Sequence, residues 1–134
     1  MEEIFDSEFL KISYDEKSQA IIEEWKLYYG PKVEFDSFRQ PMLKMVEVFK
    51  AKKLTKWLSD NTQQVRLNEK DQWWLEDHMY PQLVDAGLQH VALVNTKSIL
   101  GTSIAKNSIR NLSRSVEIEI FNKNQDAKGW IASM

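Results

Sequence analysis

The chemistry available to this 134-residue chain is narrow, with two histidines, no cysteine, and carboxylates gathered around a pair of tryptophans. The densest stretch is DQWWLEDHMYPQLVDAG, Asp71 to Gly87, in which Trp73 and Trp74 precede Glu76, Asp77, His78 and Pro81. A zinc or other transition-metal site there would need His78 and His90 close together, completed by Glu76 or Asp77. Neither an H-x-x-x-H nor an HExxH spacing occurs, so metal binding is not expected. Without cysteine, a thiolate metal site, a disulfide framework and a cysteine nucleophile are all excluded. No G-x-S-x-G elbow or P-loop is present, and four well-separated glycines cannot cradle a phosphate. The carboxylates Glu69, Asp71, Glu76 and Asp77 could supply an acid–base pair, but an exposed helix face carries the same residue types. No constellation specifies a reaction. The chain reads as non-catalytic, with no cofactor.

The tryptophan pair raises a question of orientation. At 100° per residue, Trp73, Leu75, Met79, Tyr80, Leu83 and Val84 share one broad apolar side, and Trp74, His78 and Gln82 lie opposite. This predicts Trp73 in the core and Trp74 beside His78 on an outer face, where they would form part of a ligand groove or partner surface. A second reading makes Trp74 a packing residue, covered by the adjacent loop or turned inward because Pro81 bends the helix and rotates its register.

Elements able to hold these residues follow from pattern. FLKISYD (Phe9–Asp15) and AIIEEWK (Ala20–Lys26) flank the turn-forming DEKS and predict an antiparallel hairpin. Phe35, Phe38, Met42, Met45, Val46 and Phe49 mark an amphipathic helix whose start is complicated by Pro41. KLTKWLSD (Lys53–Asp60) reads as a buried strand, and the tryptophan helix follows, ending at Gly87. HVALVN (His90–Asn95) is a central strand covered on both faces. A short helix is expected near Ile104–Leu112, then a strand over Ser115–Phe121, and a closing helix that buries Ala127, Trp130 and Ile131. Strands separated by helices imply parallel neighbours joined by right-handed crossovers. The expected fold is α/β, a single-layer mixed and mostly parallel β-sheet with an N-terminal antiparallel hairpin and about four helices. It forms one domain over residues 1–134.

Composition bounds the partners. A hydrophobic fraction of 43% suits a globular domain, and a chain of this length buries roughly two-thirds of its unfolded surface. A net charge of −2 gives no pull toward nucleic acid or anionic membrane. The acidic start lacks the basic and apolar regions of a signal peptide, and no run approaches the roughly 18 apolar residues of a membrane span. A cytoplasmic location is the resulting expectation.

The chain resembles the STAS domains (sulfate-transporter and anti-sigma-factor-antagonist type), in particular the SpoIIAA-like branch of small stand-alone bacterial proteins. The resemblance is carried by ISYDEKSQAIIEEWK as the opening hairpin, KLTKWLSDN as the strand ending in Asp-Asn, DQWWLEDHMYPQLVDAGLQHVALV, and VEIEIFNKNQDAKGWI. It spans about Phe9 to Ile131. It implies a non-catalytic regulatory module that binds a protein partner under the control of serine phosphorylation. Laid on the family's acceptor pattern, Asp60 matches the first aspartate, Thr62 the first serine and Leu67 the aliphatic position. Asn68 then takes the place of the second aspartate, Glu69 of the acceptor serine and Asp71 of the final glycine. The switch residue is therefore missing, although a carboxylate at a helix amino terminus is electrostatically favoured.

In open α/β sheets, ligand crevices lie beyond the carboxyl ends of parallel strands. That edge gathers Asp60, Asn61, Thr62, Asn95, Thr96 and Ser98, which with Glu69, Trp74 and His78 make up the candidate ligand or partner surface. Lys106, Arg110 and Arg114 recur at four-residue spacing, with Lys97 nearby, and would form a positive stripe. A protein partner is the leading expectation. Lipid- or nucleotide-like small-ligand binding, with Met42 and Met45 lining an adaptable pocket, is the alternative. The strand Phe9–Tyr14 is a candidate sheet edge, permitting a homodimer that Lys11 and the flanking acids discourage.

Overall fold

The structure, a computed structural model, describes residues 1–26, 35–62, 69–94 and 116–134. It begins with three strands, β1 (Glu2–Asp6), β2 (Leu10–Asp15) and β3 (Ala20–Trp25). Helix α1 (Phe35–Ala51) leads to β4 (Lys56–Asp60). A continuous helical stretch then runs through α2 (Glu69–Trp74), a π turn (Leu75–Met79) and α3 (Tyr80–Asp85). Strand β5 (His90–Val94), strand β6 (Glu117–Phe121) and helix α4 (Asn124–Ser133) complete it.

The six strands form one sheet in sequential order, β1-β2-β3-β4-β5-β6. The first three are antiparallel neighbours, and β3, β4, β5 and β6 run parallel. The expected mixed sheet with an amino-terminal hairpin is what forms. Among the described residues there are three helical stretches, and the short helix expected over Ile104–Leu112 lies outside those residues, as does the Lys97–Arg114 charge stripe. No helix among the described residues is long and apolar enough to cross a membrane.

The hairpin turn is held by Asp15, whose carboxylate accepts from the Lys17 amide (3.2 Å) and the Ser18 hydroxyl (2.9 Å). Strand β1 corrects the expectation that Phe9–Tyr14 lies at the edge, because β1 pairs with β2 and takes the edge itself. A register shift between Glu3 and Phe5 and the acids Glu2, Glu3 and Asp6 break up the outer face of β1. Both features discourage pairing with a second copy.

Each parallel crossover advances the sheet in the same direction, and crossovers of one hand then set their helices on one face. Helices α1 and α2–α3 accordingly cover the same side, where Met42, Met45, Val46, Phe49, Met79 and Leu83 meet Ile12, Ile21, Trp57 and Val91. Helix α4 covers the other side, burying Ala127 and Ile131 against Ala20, Ile22, Leu58, Ala92 and Val94, with Trp130 half-buried beside Phe121. Strands β3, β4 and β5 are therefore enclosed on both faces, which is why β5 after His90 is wholly apolar and buried.

The tryptophans are placed opposite to the wheel's expectation. Trp74 is 8% exposed and joins the core, whereas Trp73 is 59% exposed. The π turn is the cause. It accommodates one extra residue, so the wheel's phase slips by one position, about 100°. Measured back from the buried Leu83, that slip carries Trp74 inward and turns Trp73 to the far side. Pro81 sets the turn in place, since a residue without an amide hydrogen cannot donate to the carbonyl four residues earlier. The ladder instead closes with the wider Tyr80 N–H to Leu75 carbonyl bond, and the Gln82 side chain donates to the His78 carbonyl at 2.9 Å.

Gly87 closes α3 with a φ of +112°, a region that side chains with a Cβ rarely adopt. An added Cβ would meet only the Leu54 carbonyl, at 3.7 Å, so its cost is conformational and not steric. Gly87→Ala is expected to lower stability by about 1–2 kcal/mol, read from the urea midpoint with an unchanged m-value.

Candidate functional site

The carboxyl edge of the parallel strands does collect the first three of its expected residues. Asp60 ends β4, and its neighbours turn away from the strand: Asp60 Oδ1 accepts from the Thr62 amide (3.0 Å) and hydroxyl (2.8 Å). Its Oδ2 accepts from Asn124 Nδ2 at 2.6 Å, tying the strand exit to the start of α4. Asn61 folds back, donating from Nδ2 to the Ser59 carbonyl (3.3 Å) and hydroxyl (3.1 Å), and its amide bonds to the Val94 carbonyl of β5 at 3.0 Å. Asp60 and Asn61 are buried. These side chains are consumed by internal bonds. Asn95, Thr96 and Ser98 lie outside the described residues, as does the side chain of Glu69, whose backbone opens α2.

Trp74 and His78 come together as the four-residue spacing requires, with ring centroids 6.4 Å apart, but only His78 is on the surface. The large exposed ring of this helix belongs to Trp73. Met42 and Met45, proposed as pocket walls, are fully buried in the core. His90 starts β5 beside Trp130, with ring centroids 6.1 Å apart in an edge-on arrangement, and its Nδ1 is buried with no hydrogen-bond partner. Among the described residues, no three His, Asp or Glu side chains are close enough to hold a metal ion.

The residue that sequence reasoning missed is Glu23. It sits in the middle of the sheet, 3% exposed, on the face covered by α1 and α2–α3. Its Oε2 accepts from Ser59 Oγ on the neighbouring strand and from the Trp25 indole N–H two residues on, each at 2.8 Å. Among the described residues, neither its Oε1 nor the buried indole nitrogen of Trp57 has a hydrogen-bond partner. Burial pushes the Glu23 carboxyl up to about 7 against the pull of Ser59, Trp25 and Trp57, and the charge of Asp60 pushes the same way. Tyr80 packs beside Trp57, with ring centroids 6.1 Å apart. Its phenol is raised well above its usual range by burial first, then by the charges of Glu23 and Glu76. The signal for Glu23 was present in the alternation: Ile21, Glu23 and Trp25 share one face of a strand that has neighbours on both sides.

Asp71 is a second buried carboxyl, also pushed up to about 7 by burial. The Ser59–Glu23 contact pairs a hydroxyl with a carboxylate, yet each residue is only 3% exposed. What this cluster can do chemically is gain or lose a proton. No family model matches the chain, and neither a curated protein nor a solved structure matches it.

Three outcomes follow. Trp74→Ala is expected to cost about 3–5 kcal/mol, whereas Trp73→Ala changes stability by less than about 0.5 kcal/mol, both by urea denaturation. Asn124→Ala, which strips a charged acceptor of its donor, is expected to cost about 1.5–3 kcal/mol. The pH dependence has a definite sign. A carboxyl whose folded value is raised from 4.5 to about 7 favours the folded state fully below the lower value, and that contribution is lost as pH rises through the upper one. Glu23 accounts for a difference on the order of 3 kcal/mol across that window. Asp71, raised from 3.8 to about 7, acts in the same direction. Urea midpoints taken from about pH 5 to about pH 8 should therefore fall, and Glu23→Gln should flatten the slope in part.

Proposed function

We propose that this chain is a non-catalytic, STAS-like interaction module that binds a protein partner through the outer surface of the α2–α3 helix. The observation that carries this reading is Trp73, a full indole held 59% exposed on a helix whose opposite side is locked into the core. An exposed tryptophan on a rigid element is the residue type that most often anchors an interface. Lys70, Asp77 and His78 are exposed on the same helix and provide a polar rim. The antiparallel opening followed by parallel strands agrees with the architecture that the STAS resemblance implies. Glu69, the first residue of α2, stands where that resemblance expects a phosphorylated serine, so partner binding here is proposed without that switch.

The anchor differs from the one the helical wheel suggested, because the π turn exchanges Trp73 and Trp74. Small-ligand binding has weaker support. Its proposed pocket residues Met42 and Met45 fill the core, and Asp60 and Asn61 are engaged internally.

The test is affinity capture from the source cell with the intact chain as bait, scored by stoichiometry. One partner should be retained by the wild type and lost with Trp73→Ala, while the melting temperature of that variant stays within about 2 °C of the parent. Retention of the same partner by Trp73→Ala would place the interface elsewhere, and turnover in a broad substrate screen would end the non-catalytic reading.

A further inference from the structure

We propose that Glu23, Ser59, Trp25, Trp57 and Tyr80 form a proton-operated latch between the centre of the sheet and the helical half that follows the π turn. With Glu23 neutral, the helix from Leu75 to Asp85 seats on β3 and β4. With Glu23 ionised, that half lifts and admits water, while the parallel strands stay paired. This goes beyond partner binding and does not rest on it.

The argument is geometric. A buried carboxylate needs a counter-charge or donors on both oxygens. Glu23 has two donors, both on Oε2, and Oε1 is left bare. Of the other groups near it only the Trp57 indole favours the anion, and it makes no hydrogen bond to either oxygen. Strand β2 presents Ile12 opposite it, and β4 presents Trp57, Ser59 and Asn61, with the acidic Asp60 one position further on. Helix α1 turns Met42, Met45, Val46 and Phe49 toward the sheet. From the helical side comes Tyr80 of α3, on whose phenol the charges of both Glu23 and Glu76 act, and α2 adds a further buried acid, Asp71. Among the described residues, no lysine or arginine is among the groups acting on Glu23. Ionisation therefore leaves an anion with one buried oxygen that no donor reaches, and water is the available remedy.

The route for water is set by which element yields first. Strands β3 and β4 are held by ladders on both sides. The helix above has a widened turn at Leu75–Met79 and Pro81 just beyond it, so its own ladder is weakest beside Tyr80. A residual carboxyl value near neutrality places the change within reach of physiological pH.

Hydrogen exchange of backbone amides, with the intact chain, tests this segment by segment. Protection of the amides from Tyr80 to Asp85, corrected for intrinsic exchange, should fall between about pH 6 and about pH 8 by at least roughly tenfold more than that of β4 and β5, whose own fall tracks global stability. Glu23→Gln should abolish that extra fall. Ser59→Ala, which removes a donor that favours the carboxylate, should keep the transition and move its midpoint upward, and it serves should the glutamine variant not fold. Flat protection across the range would overturn the latch. So would an equal fall in Glu23→Gln, which would assign the effect to Asp71, or a uniform fall in every segment, which would mean global destabilisation alone.

Discussion

The constraint on which this molecule depends is that β3, β4 and β5 are covered on both faces. Parallel strands need long crossovers, crossovers of one hand place α1 and α2–α3 on one side, and α4 returns to close the other. Once these strands are enclosed, every polar group on them has to be answered from within the fold. The sequence has few such groups there: Glu23, Ser59, Asp60 and Asn61 are the buried polar residues on or just after β3 and β4. They occupy adjacent positions near the carboxyl ends of the two strands. The polar chemistry of the domain is thus concentrated at one place by the same burial that stabilises the sheet.

Parts of this were legible in the residues. HVALV could be read as an enclosed strand because VALV is a continuous apolar run, and KWLSD, within the expected Lys53–Asp60, followed from a short apolar run before a polar loop. The hairpin was legible because Asp15 and Ser18 belong to turn chemistry that acts locally. Gly87 marked a helix end for the same reason. Local causes leave local signatures.

What was not legible has non-local causes. Strand β1 reads as an acidic leader, since EEIFD lacks a clean alternation, and only the pairing partner β2 makes it a strand. The π turn defeated a wheel of constant pitch, so the tryptophan assigned to the core proved to be the surface one. Pro81 did signal a rotated register, and the reading that made Trp74 an inward packing residue is the one that forms. Asp60 and Asn61 were rightly placed at a strand exit, but their side chains serve the exit itself, and the bond from Asn124 spans 64 positions of sequence.

Glu23 and Asp60 show how little separates a structural carboxylate from a responsive one. They belong to adjacent strands, one register position apart, Glu23 opposite Ser59 and Glu24 opposite Asp60. Both are buried and both accept from more than one donor. The difference is distribution. Asp60 receives Thr62 on one oxygen and Asn124 on the other, so each oxygen has a donor. Glu23 receives Ser59 and Trp25 on the same oxygen, and the nearby Trp57 indole does not reach the second. Donors crowded on one oxygen repay only part of the desolvation, and the proton supplies the remainder. Asp60 ties the exit of β4 to α4 through donors on both oxygens, whereas burial leaves Glu23 favouring its neutral form.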